Sequence, residues 1–362
     1  MTTPPAAVSL DEARAEFPRG TGYLAACTGG LPPTSAVRAM RADLESWSTG
    51  HLSPVRHGET AEATRAAFAR LVGVRPELVA LGSQTSAMVA VLAASVPDGA
   101  EVLVPEGDFS SLVMPFRAQA HRGVRVRVVP LGDLAPSILP STWLVAYSLV
   151  QSATGETAAD DEVVRAAAAA GARTLVDLTQ AAGVVPVDAS RYDATVTHAY
   201  KWLCAPRGVA FLTIGERLLE EVRPVQTGWY AGSDVWASCY GADVELAADA
   251  RRFDVSPAWQ AFVGALPALE LFASVAPVEV ARHAGDLGDA LCRSLGLPPH
   301  GRAIVTWPDS DGRHFDALTR AGLTVSGRAG RVRVAFHLWN DHDDVERVVT
   351  ALRGTAPRGT SR

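Results

Sequence analysis

Between residues 78 and 212 the chain alternates short, nearly continuous apolar runs with stretches of helical periodicity. Seven runs stand out, at 78–81, 102–104, 124–129, 143–147, 174–176, 194–196 and 209–212. Helical stretches at 85–95, 112–121 and 161–170 lie between them. A strand that reads apolar at every position is covered on both faces, so the pattern predicts an α/β domain with a mostly parallel, seven-stranded sheet. Ligands in such sheets sit at the carboxyl ends of the strands, so the residue closing each run is where chemistry is expected.

The flanks read differently. Val37, Met40, Leu44 and Trp47 recur at helical spacing, and 59–72 is a second helix candidate. After Thr227-Gly228-Trp229 the chain is irregular to Asp254. Beyond it the pattern predicts helices at 258–274 and 314–321, strands at 303–307 and 331–337, and a last helix marked by Val345, Val348, Val349 and Leu352. We therefore expect a loose lead-in over 1–20, a large domain over 21–245 and a smaller α+β domain over 246–362.

Lys201 is the only lysine; every other one of the 33 basic residues is arginine. Arginine replaces lysine wherever only a positive charge is needed. It cannot do so where a primary amine must act as a nucleophile, because guanidinium stays protonated. Lys201 stands in His198-Ala199-Tyr200-Lys201-Trp202-Leu203, followed by Cys204-Ala205-Pro206-Arg207-Gly208. Taken alone it reads as an ordinary surface lysine; its neighbours decide otherwise.

Asp177 closes one apolar run and Gln180 follows three residues later. On the residues alone Asp177 is as well a helix cap, and Gln180 a surface glutamine. Beside an amine carrying a pyridine aldehyde as a Schiff base, the carboxylate would keep the ring nitrogen protonated and Gln180 would face the phenolic oxygen. Gly82-Ser83-Gln84-Thr85-Ser86 opens a helix after a strand, which suits a phosphate as well as a plain cap. Phe109 follows the next run and could lie on a flat ring or in the core. No GxGxxG follows a strand and no GxxxxGK[ST] exists, so nicotinamide and P-loop readings lack support.

The order of these parts — phosphate loop, stacking residue, Asp-x-x-Gln, then His-x-Tyr-Lys-Trp-Leu-x-x-Pro-x-Gly — resembles the class V aminotransferase family of fold-type I pyridoxal-phosphate enzymes. That family includes cysteine desulfurases, kynureninase, isopenicillin N epimerase-like proteins and ergothioneine-type C–S lyases. The resemblance spans roughly residues 20 to 350. It implies a pyridoxal 5′-phosphate cofactor linked to Lys201, with Asp177 at the pyridinium and Gln180 at the phenolic oxygen. It further implies Gln84, Thr85, His198 and Tyr200 at the phosphate, Phe109 over the ring and Ser152 on the cofactor side. Thr227 corresponds to a segment reaching the neighbouring subunit's phosphate, so a homodimer is expected. Arg333, with Arg328 as second candidate, corresponds to the arginine that grips the substrate carboxylate; a solvated strand-edge charge is the alternative for both.

Two departures count against persulfide chemistry. No cysteine lies between Arg320 and Asn340, where desulfurases carry one on a mobile loop, and Phe109 stands where they carry a histidine. Cys27, Cys204, Cys239 and Cys292 are scattered, with no CxxC and no zinc spacing, so no metal is expected. Cys204 is nearest Lys201 in sequence and is expected to be structural. The resemblance favours an aminotransferase acting on an amino acid or related amine. A Cβ–S lyase or an epimerase on the same scaffold is the alternative, and a non-catalytic cofactor-binding protein is the alternative of another class. The net charge of −6 and the lack of a basic tract give no nucleic-acid partner. No apolar run spans a bilayer and no secretory signal is evident, so a cytoplasmic location is expected.

Overall fold

The computed structural model describes residues 7–353; the outer ends of the expected lead-in and small domain lie outside the described residues. Three helices open the chain: α1 (Leu10–Ala15), α2 (Thr34–Ser48) and α3 (Pro54–Val72). The sheet domain follows as β1 (Val79–Gly82), α4 (Thr85–Ser95), β2 (Glu101–Pro105), α5 (Ser110–Arg117), β3 (Arg125–Val129), β4 (Thr142–Ser148), α6 (Asp160–Ala170), β5 (Arg173–Asp177), β6 (Ala194–His198), β7 (Ala210–Ile214) and α7 (Glu216–Leu219). The last part comprises α8 (Trp259–Ser274), α9 (Pro277–Ser294), β8 (Ile304–Pro308), α10 (Arg313–Arg320), β9 (Ser326–Arg328), β10 (Arg331–Ala335) and α11 (His342–Arg353).

The expected seven-stranded sheet is present, in the order β1-β7-β6-β5-β4-β2-β3. Only β7 runs against its neighbours, so β1 and the other five strands all end at one edge. Alternate residues of each strand enter separate cores on the two faces. Leu103, Val145, Tyr147, Val176 and Phe211 pack on one side. Val102, Val104, Leu144, Ala146, Leu175 and Leu212 pack on the other. This double burial is what makes β1, β2 and β4 to β7 legible as nearly unbroken apolar runs, whereas β3, at the sheet edge, is at most part-buried.

The lead-in is more ordered than expected. A capping box between Ser9 and Glu12 starts α1. Arg14 donates to the Leu338 carbonyl at 3.0 Å, and the Phe17 ring lies 4.9 Å from that of Trp339. The next segment joins the small antiparallel sheet β8-β10-β9: Tyr23 bridges Thr324 and Ala25 bridges Ala335. Residues 23–30 thereby run from the small sheet to the carboxyl edge of the large one. Gly30 donates to the Tyr200 carbonyl at 2.8 Å. A Cβ on Gly30 would overlap the Lys201 carbonyl oxygen and the Cys204 sulfur, so only glycine permits this approach.

Candidate active site

Ser148, Asp177 and His198 close β4, β5 and β6, three adjacent strands, at the shared carboxyl edge. The turn after β6 delivers Lys201 to the same place. Lys201 is 5% exposed, and its amine makes no hydrogen bond or ion pair among the described residues. Its Nζ lies 5.4 Å from the centre of the Phe109 ring and 5.7 Å from that of Tyr200. Burial pushes the amine down to about 8, against the opposing pull of Asp177. A fully sequestered amine near neutrality is suited to act as a nucleophile and a base.

Asp177 is buried, and burial raises its carboxyl to about 6. The Thr179 backbone N–H donates to it at 2.8 Å, while the Thr179 hydroxyl accepts from the His198 N–H at 3.0 Å. Gln180 receives the Trp202 indole N–H at 2.8 Å and donates to the Cys27 carbonyl at 2.9 Å and the Ser152 hydroxyl at 3.2 Å. Both its amide hydrogens are thus engaged. Donating to a ring oxygen would replace the longer bond, to Ser152.

His198 is buried, and its Nε2 has no partner. Burial, then the charges of Arg207 and Lys201, push it down to about 4, so the ring is neutral at physiological pH. Tyr200 sits edge-on to it at 4.3 Å, and the Arg207 guanidinium lies 4.4 Å over the Tyr200 ring. Thr85 is buried and Gln84 exposed at the start of α4, where no side chain caps the helix. Uncapped amides at a helix start, with a buried imidazole lacking a partner, suit a phosphate. Phe109 is 40% exposed, with its ring open to a ligand above the Lys201 amine. The chain's residues therefore fit the implied cofactor: a free amine, a buried carboxylate across from it, an aromatic face and an anion cradle.

Arg333 on β10 is 1% exposed. Its Nε donates to the Ser326 hydroxyl at 3.1 Å, Nη2 to the Thr28 hydroxyl at 2.9 Å, and Nη1 to the Ser152 carbonyl. No carboxylate among the described residues pairs with it. Burial lowers its affinity for its proton from the ordinary value. A desolvated guanidinium held only by neutral oxygens awaits an anion. Arg328, by contrast, is exposed at the end of β9 and donates to the neighbouring Gly327 carbonyl. Thr227 is also exposed.

Several site residues escaped the sequence reading. Asp108 accepts from the Phe109 N–H at 2.6 Å and from the Ser148 hydroxyl and N–H at 2.5 and 2.8 Å, fixing Phe109 to the end of β4. Its place directly before the aromatic was the available signal. Thr28 and Ser326 hold Arg333, yet nothing in their local sequence marks them. Cys204 was the thiol singled out beside Lys201. It is buried in a left-handed turn with φ 55°, its sulfur against the Trp202 carbonyl, and burial raises its thiol well above the usual value. Cys27 is the thiol that lies among the site residues.

Residues 37–322 match the family model described as aminotransferase class-V. A probable cysteine desulfurase of Aeropyrum pernix is 28% identical, over 95% of this chain and 97% of its own length. A kynureninase of Salinispora tropica is 29% identical, over 86% of this chain and 81% of its own. Among solved structures, a cystine C–S lyase in complex with its reaction product, cysteine persulfide, superposes with a TM-score of 0.81 at 22% identity, covering 92% of this chain and 97% of that one. That likeness establishes the shared fold.

Proposed function

The chain belongs to the class V aminotransferase family, and on that premise we propose that it is an enzyme acting at Cα of a small amino acid in the manner of an aminotransferase. The cofactor is pyridoxal 5′-phosphate, which when bound supplies an electron sink for the pair left at Cα. Lys201 would carry it, with Asp177 holding the proton on the ring nitrogen. Phe109 would cover one face; Gln180 and Ser152 would line the phenolic side. Gln84, Thr85, His198 and Tyr200 would hold the phosphate.

The carrying observation is the pair of buried cations. Lys201 and Arg333 are each nearly inaccessible, and neither has a carboxylate within ion-pair distance among the described residues. Arg333 binds the substrate carboxylate through its planar fork, which orients Cα towards the amine. The Lys201 amine removes the Cα proton and can carry it to its second position, which is all that transamination asks of a base. Phe109 places no acid over the ring to assist a poor leaving group.

Cβ–S cleavage is the second reading, because a thiolate leaves without acid help. The kinship with a probable cysteine desulfurase supports it. A homodimer in a reducing, cytoplasmic compartment completes the proposal; the four cysteines are free thiols. Single-turnover incubation with a panel of amino acids tests it. Transamination predicts one keto acid retaining every side-chain atom, per active site. Pyruvate, ammonia and a thiol from cysteine or cystine would instead establish the lyase. Arg333→Ala should raise KM for either substrate, since losing a buried charge-assisted pair costs ~2–5 kcal/mol.

A further inference from the structure

The loop between β6 and β7 folds back on itself. His198 and Ala210 are register partners on the two strands. The Ala199 N–H donates to the Val209 carbonyl at 3.0 Å, and the Ala205 N–H to the Ala199 carbonyl at 3.1 Å. Gly208 turns the chain with φ 98°, a conformation that favours glycine. This closure carries Arg207 back over Tyr200. Its guanidinium lies 4.4 Å from the centre of the Tyr200 ring, and the His198 ring lies 4.3 Å from the same ring. One aromatic ring is thus shared by a cation and by the buried imidazole whose Nε2 has no partner. Arg207 is exposed, and its guanidinium makes no hydrogen bond or ion pair among the described residues. The charges at this cradle do not balance without it. A phosphate monoester carries roughly −1.5 to −2 at neutral pH. The start of α4 offers only about half a positive charge. Gln84, Thr85 and Tyr200 contribute amide and hydroxyl groups, and the buried His198 ring is uncharged at physiological pH. Such groups can bond phosphate oxygens but leave most of the charge unmatched.

We propose that Arg207 is the counter-charge of the cofactor phosphate, so that this site selects the phosphorylated aldehyde over the same aldehyde without its phosphate. This rests on the reading of Lys201 and the phosphate cradle given above. The Tyr200 ring attracts the guanidinium to its face and shields one side of it from water. The free N–H groups of the fork would donate to phosphate oxygens, a geometry that a planar guanidinium meets with two parallel bonds. The role is retention of the cofactor; the chemical step stays with Lys201.

The test frees the loaded enzyme of cofactor by dialysis and titrates it with pyridoxal 5′-phosphate and, in parallel, with pyridoxal, reading the visible band that each gives on Lys201. Arg207→Gln should weaken binding of the phosphate form by about tenfold or more, the effect expected of one lost charge-assisted bond. It should leave pyridoxal binding unchanged, and that band reports in the same titration that the variant is folded. Arg207→Lys should recover part of the loss, because the charge returns without the fork. In the wild type itself, added salt should weaken binding of the phosphate form and spare pyridoxal. Equal affinity of Arg207→Gln and wild type for the phosphate form would overturn the proposal. So would an equal loss for both aldehydes in both variants, the result expected if Arg207 only covers the Tyr200 ring. An equal salt response of the two aldehydes would overturn it without any variant. A wild type that gives a band with neither aldehyde sinks the cofactor assignment and this proposal with it. A band whose phosphate preference survives in Arg207→Gln sinks this proposal alone.

Discussion

Asp177 and Lys201 are each held in a protonation balance that water would not choose. Burial raises Asp177 from 3.8 to about 6 and lowers Lys201 from 10.5 to about 8. In the cofactor-free protein, the folded state binds the Asp177 proton more tightly than the unfolded state does. Stability should therefore fall as pH rises from about 4 to 6. For Lys201 the sign reverses: the unfolded state holds the proton more tightly, so stability is recovered as pH rises from about 8 to 10.5. Each shift corresponds to roughly 3 kcal/mol. Asp177→Asn should flatten the slope between pH 4 and 6 in chemical denaturation of the cofactor-free protein, while lowering kcat at least about a hundredfold through loss of the electron sink. A mutant with an unchanged slope would show that Asp177 is not desolvated as described.

At the scale of elements, the site depends on how closely residues 27–30 press on the turn after β6. Gly30→Ala should shift that segment, destabilise the protein by ~1–3 kcal/mol through overpacking, and raise KM through displacement of Thr28 from Arg333. Thermal denaturation and steady-state kinetics check both. An unchanged KM with a lowered Tm would separate the packing from the site. The same segment marks the limit of what the residues alone disclose. Strands β1, β2 and β4 to β7 were legible because they are buried on both faces, Asp177 because it closes such a strand, and His198 because it stands in the motif around Lys201. Lys201 was legible because no other lysine competes for attention. The approach of residues 23–30 to β9 and β10 was not legible, because it rests on isolated bridges and a three-residue strand rather than a periodic pattern. Arg333 is joined to Thr28 and Ser152 across most of the chain, and no local motif records such a contact.

For the molecule as a whole, Thr227 tests the proposed dimer. It follows Gln226, which donates to the Ala87 carbonyl at 2.7 Å and so anchors this loop at the first turn of α4. Nearby Val225, Trp236 and Tyr240 are exposed apolar side chains that a second subunit would cover. Sedimentation should give a dimer, and Thr227→Ala should release cofactor faster on dialysis; a monomer retaining full cofactor and activity would contradict this. Every step of the account depends on one amine. The most direct measurement is borohydride reduction of the protein saturated with pyridoxal 5′-phosphate, followed by peptide mapping. The account predicts a single pyridoxyl label on Lys201, absent in Lys201→Arg, whose guanidinium keeps the charge but not the nucleophile. A label at any other position, or none at saturating cofactor, would contradict it.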